Sequence, residues 1–107
     1  MRVAAVMSDL MLYSRIASAA DAAGSELLRA NDPSSLPPDL DLVLVDWSAR
    51  DPSWTDALQA ARDAGARIIL FGRHTDLEAH AAAKSAGLGP MWARSKLISE
   101  LPALLPT

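Results

Sequence analysis

The feature that most constrains this chain is the run Leu42-Val43-Leu44-Val45-Asp46, an unbroken apolar stretch closed by a carboxylate. A strand with one solvated face alternates apolar and polar residues. This run does not alternate, so it reads as a strand covered on both faces, the situation of a central strand in a parallel sheet. Val3-Ala4-Ala5-Val6-Met7 and Arg67-Ile68-Ile69-Leu70-Phe71 have the same character. Segments of helical period separate these runs, which is the pattern of βαβ units.

The punctuation between the runs supports that order. Ser8 or Asp9 can cap a helix whose inner face is expected to carry Leu10, Tyr13, Ile16, Ala17 and Ala20, and Gly24 suits its left-handed stop. Glu26 to Ala30 alternates charged and apolar residues as an edge strand does. The segment Asn31 to Asp39 holds Pro33, Pro37 and Pro38, which leaves room for a loop or one short turn and for no regular helix. Asp51-Pro52 marks the start of a helix through Trp54, Leu58 and Ala61 to Gly65. Gly72-Arg73-His74 reads as a loop, and Thr75 to Glu78 as a capping box for a helix ending at Gly87. Met91 to Arg94 is expected as a short last strand. Ser95 is expected to cap a final helix that Pro102 disturbs or ends.

Right-handed crossovers then give one α/β domain over residues 1–107. Its fold class is flavodoxin-like, a doubly wound five-stranded parallel sheet of order 2-1-3-4-5, with the second helix reduced or absent.

Composition narrows the function. A chain of 107 residues buries roughly 60% of its unfolded surface or more, enough for an unaided core. The absence of cysteine removes disulfides, thiolate metal sites and thiol nucleophiles, and fits a cytoplasmic location. A net charge of −3 with dispersed arginines gives no basic footprint, so no nucleic-acid partner is expected. No apolar stretch approaches the roughly 18 residues of a membrane span, and the N-terminus has no signal-peptide pattern, so no membrane partner is expected either. His74 and His80 lack metal-ligand spacing, His80 is expected at the surface, and Gly-x-Ser-x-Gly, Walker and dinucleotide motifs are missing. No metal, no cofactor and no enzymatic activity are therefore expected.

In an open α/β sheet, ligands meet the carboxyl ends of the strands. That rim gathers Asp9, Asp46, Trp47, Gly72, Arg73, His74, Arg94 and Ser95. The rim, the order of elements and three segments together resemble the receiver domain of bacterial two-component response regulators, over essentially the full length. The segments are Asp39-Leu40-Asp41-Leu42-Val43-Leu44-Val45-Asp46, Ile68-Ile69-Leu70-Phe71-Gly72, and Ala86-Gly87 with Met91-Trp92-Ala93-Arg94. The resemblance implies that Asp46 stands at the phosphoacceptor position. It puts Met7 and Ser8 where receivers carry their acidic pair, with Asp9 one place beyond. Gly72 takes the place of the switch hydroxyl, Met91 that of its aromatic partner, Arg94 that of the lysine, and Ser95 that of the proline after it. The phosphoacceptor alone is kept, so the resemblance implies a pseudo-receiver.

Three readings of the rim stay open. Asp46 with Asp9 can hold Mg²⁺ and accept a phosphoryl group. Asp46 can instead pair permanently with Arg94, whose planar guanidinium forks onto a carboxylate as lysine does not. Arg73, His74, Arg94 and Ser95, with close backbone approach at Gly72, can bind a small anion or nucleotide. Among the tryptophans, Trp54 is expected to cover the sheet, and Trp47, just past a strand end, is expected to be exposed. Trp47, Trp92 and Lys96 are the interface candidates, the last two on a face with Ala81 and Lys84. The expected role is that of a stand-alone pseudo-receiver in bacterial signal transduction or regulation. It would act by phosphorylation-independent contact with another protein, whose identity the residues leave unknown, or with a second copy as a homodimer.

Overall fold

The computed structural model describes residues 1–106. Five parallel strands, β1 (Arg2–Val6), β2 (Glu26–Ala30), β3 (Leu42–Asp46), β4 (Arg67–Gly72) and β5 (Trp92–Ala93), form one sheet in the order β2-β1-β3-β4-β5. Four helices connect and cover them: α1 (Leu10–Ala22), α2 (Trp54–Asp63), α3 (Leu77–Ser85) and α4 (Arg94–Leu104). This is the flavodoxin-like sheet expected from the unbroken apolar runs, and β3 is buried along its whole length.

The alternation of side chains along each strand sorts the core into two layers. Val3, Ala5, Leu42, Leu44, Ile69 and Phe71 face α1 and α4, where they meet Leu12, Ile16, Leu97 and Leu101. Ala4, Val6, Val43, Val45 and Leu70 face α2 and α3, where they meet Trp54, Leu58, Ala79 and Ala83. No helix joins β2 to β3. A 3₁₀ turn at Pro33–Ser35, capped by Asp32 through the Ser34 amide at 2.7 Å, takes its place. Buried Leu40 and half-buried Leu36 fill the sheet face there.

The start cap and glycine stop of α1 follow the sequence expectation, and other helix ends differ from it. Asp9 caps α1, accepting from the Met11 and Leu12 amides at 3.0 and 3.1 Å, and Gly24 has φ +70° just past its end. The cap sets the phase of the helix so that Leu12, Ile16 and Ala20 are buried, while Leu10 faces outward. Asp51 holds a preceding turn through Ser53, and α2 begins at Trp54. Asp76, not Thr75, caps α3, accepting from the Ala79 amide at 3.0 Å. β5 is two residues long, so Arg94 opens α4 and Ser95 lies inside it, and that helix has no side-chain cap. Pro102 does not end α4, which continues to Leu104.

Candidate functional site

Sheet register places the site. Asp46 pairs with Phe71, and Phe71 with Trp92, so Ala93 lies one step, and Arg94 two, beyond the level of Asp46. Asp46 continues the even-numbered side chains of β3, whose Leu42 and Leu44 face α1 and α4. Its carboxylate therefore points to the side from which Asp9, at the start of α1, and Arg94, at the start of α4, approach.

The three side chains converge. Arg94 donates through Nη1 to Asp9 Oδ2 at 3.3 Å, and its Nη2 stands 3.6 Å from Asp46 Oδ2. The expected two-pronged fork on Asp46 is not formed. Instead one guanidinium is shared between two carboxylates, because Asp9 competes for the nearer nitrogen. The Asp46 side chain is 10% exposed and that of Arg94 41%. Asp46 also accepts from the Ser48 amide at 3.2 Å and so caps the 3₁₀ turn Trp47–Ala49. Burial is the largest influence on the Asp46 carboxyl and pushes its pKa above the ordinary carboxylate value. Arg94, the Ser48 amide and Arg73 pull it down, and the Asp9 charge adds to the rise. The Arg94 Nε is buried with no hydrogen-bond partner, so the bridging pose leaves a donor unsatisfied.

Gly72 is the last residue of β4 rather than part of a loop. A methyl group in place of its hydrogen would stand 2.4 Å from Ser48 Oγ and 2.9 Å from Met91 Sδ. A side chain at this position would require Ser48 or Met91 to turn aside. Arg73, whose amide donates to Ser48 Oγ at 3.3 Å, is exposed, as are His74 and Ser95. Together with Gly72, Thr75, Ala93 and Arg94 they line a cleft of about 250 Å³ between β4 and the start of α4. His80 is half-buried, not at the open surface, and its Nε2 lies 3.0 Å from the His74 carbonyl. Among the described residues no three His, Asp or Glu side chains gather as metal ligands, and no helix is long and apolar enough to cross a membrane.

Trp47 departs most from expectation as an interface residue. It is 2% exposed, and its Nε1 donates to the Ala79 carbonyl of α3 at 3.0 Å. It continues the inward phase of Val43 and Val45, a signal present in the sequence that its place after the strand obscured. Trp92 and Lys96 do stand at the surface of the β5–α4 edge. The Lys96 ammonium lies 4.5 Å from the centroid of the Trp92 ring, a cation–π pair on one half-buried aromatic.

A groove of about 540 Å³ between α1 and α4 was not read from the sequence. Leu10, Met11, Leu12, Ser14 and Arg15 line one side, and Arg94 and Ile98 the other.

No family model matches the sequence, and no curated protein matches it either. Among solved structures, the chain is similar to a CpaE2 protein of Sinorhizobium meliloti 1021 assigned to pilus assembly. The TM-score is 0.57 at 14% identity, over 92% of this chain and 95% of that one. At that identity the likeness concerns the fold, and with the sheet order it shows that this chain has a receiver-like, flavodoxin-like fold.

Proposed function

We propose that this chain is a pseudo-receiver that acts in bacterial signalling or regulation through contact with another protein, without phosphorylation and without catalysis of its own. The observation that carries the reading is the position of the Arg94 guanidinium between the carboxylates of Asp9 and Asp46. A phosphoacceptor crevice needs a cation there that can also reach an incoming phosphoryl group. Here an intramolecular cation already neutralises part of that charge, and Gly72 offers no hydroxyl to register a modification. A ¹⁵N–¹H NMR titration with Mg²⁺ and then beryllofluoride, a phosphoryl mimic, tests this. The spectrum is expected to stay silent. Shifts centred on Asp9 and Asp46 that spread to β5 would overturn the proposal.

A second reading has its own support. The cleft beside Gly72 is lined by Arg73, His74, Thr75 and Ser95, and α4 begins there without a side-chain cap, so its first amides are free to meet an anion. Titration with inorganic phosphate or a nucleotide would shift the Ser95 and Lys96 amides in a saturable way if this cleft is the working site.

A further inference from the structure

A helix is held to its sheet mainly by the apolar side chains it inserts, and α3 inserts the least. α1 buries Leu12 and Ile16, α2 Trp54 and Leu58, and α4 Leu97, Leu101 and Leu104. From Arg73 to Gly87, the segment that contains α3, the buried side chains are those of Ala79 and Ala83. A methyl group removes far less area from water than a leucine or tryptophan side chain, so burial gives α3 a weak hold. With 9 residues it is also too short to persist as a helix by itself.

What fastens α3 instead is polar and comes from outside it. Trp47, directly after β3, donates through Nε1 to the Ala79 carbonyl at 3.0 Å, and this bond is buried. At the other end, Gln59 of α2 donates through Nε2 to the Ala86 carbonyl at 2.8 Å. Arg62, one turn later on α2, donates through Nη1 to the Gly87 carbonyl at 2.7 Å. Ala86 closes α3 and Gly87, with φ +70°, turns the chain away, so these carbonyls have no partner within the helix. Arg62 makes no ion pair among the described residues, which leaves its charge to the negative end of the helix dipole.

We propose that Trp47, Gln59 and Arg62 form a latch for α3, and that with the latch released α3 leaves the sheet as a unit while the rest of the domain stays folded. The latch uses none of the charged groups of the crevice, so the inference stands apart from the function proposed above. Opening is confined to α3 because buried Phe71 anchors the chain before it, and buried Leu88 and Met91 anchor the chain after it. Release uncovers the sheet face of Val45, Leu70 and the Trp47 ring. The latch therefore controls access to that apolar face.

Amide hydrogen exchange on the full chain tests this, because it separates local opening from global unfolding. In the wild type, α3 amides are expected to be at least about tenfold less protected than those of β3 and β4. The variant Gln59→Met/Arg62→Met removes both donors and keeps two good helix formers in α2, and it is expected to speed α3 exchange by about tenfold. Arg62→Met alone, at an exposed position, is expected to give the same pattern at about threefold, which keeps the test available should the double variant fail to fold. Ile16→Val, in the core layer on the opposite face of the sheet, is the control. It is expected to speed β3 and β4 exchange by about fivefold and to leave α3 exchange unchanged, because the packing around Ile16 persists when α3 alone opens. Wild-type α3 amides as protected as those of β3, α3 exchange that follows Ile16→Val as β3 does, or α3 exchange untouched by loss of the latch donors would each overturn the proposal.

Discussion

Replacing Arg94 by methionine removes the shared cation while keeping most of the aliphatic stem and a good helix former at the start of α4. The cost follows from what is left behind. Asp46, 10% exposed, loses its counter-charge and still faces the like charge of Asp9. An exposed pair is worth roughly 0.2–1 kcal/mol, and breaking a fully buried one costs roughly 3–5 kcal/mol. Arg94 is 41% exposed and its contact to Asp46 is 3.6 Å, so the loss should fall between, at about 2 kcal/mol at neutral pH. The pH dependence has a definite sign. The folded-state pKa of Asp46 is already raised, so between the unfolded value of about 3.9 and that raised value the folded chain holds the proton more firmly. Stability therefore falls as pH rises through this window and is level above it. Without Arg94 the window widens upward. In urea denaturation the variant should lose about 1 M of midpoint at neutral pH, and less as pH falls towards the raised pKa of Asp46 and the carboxyl protonates. In an Asp46→Asn background the cost of Arg94→Met should drop below about 1 kcal/mol, the worth of the remaining contact to Asp9. A cost that is the same across this pH range and in both backgrounds would refute the account of Arg94 as the counter-charge of Asp46.

Gly72→Ala should destabilise by about 1–3 kcal/mol in urea melts, through collision with Ser48 Oγ and Met91 Sδ rather than through backbone strain, since φ at Gly72 is not positive. Adding Ser48→Gly should recover part of the loss, and no recovery would point to another cause. Trp47→Phe should cost about 1–3 kcal/mol by removing the Nε1 bond to Ala79 and part of a buried ring. A melting temperature equal to the wild type would contradict its burial.

The strands were legible because burial on both faces leaves one kind of record in a sequence, a run with no polar interruption. β1, β3 and β4 carry it, and their order follows from the handedness of the crossovers. What the sequence hid was phase. Trp47 looked exposed because it follows the strand, although side-chain alternation from Val43 and Val45 already turned it toward α3. Leu10 looked buried because helical period was counted without fixing where the cap sits, and the Asp9 bonds to Met11 and Leu12 decide that. At the site, the rim position of Asp9, Asp46 and Arg94 could be read from topology. That one guanidinium serves both acids could not, because it depends on β5 ending after two residues and releasing Arg94 into a helix.

The same arginine guards the crevice from both sides. Arg94 lines the α1–α4 groove and also bridges the carboxylates of Asp9 and Asp46 at its end. Any cation or phosphoryl group entering the crevice must first displace Arg94 from both acids. Protonation of Asp46 frees one side of Arg94, so the bridge should loosen as pH falls towards the raised pKa of Asp46 and should be complete above it.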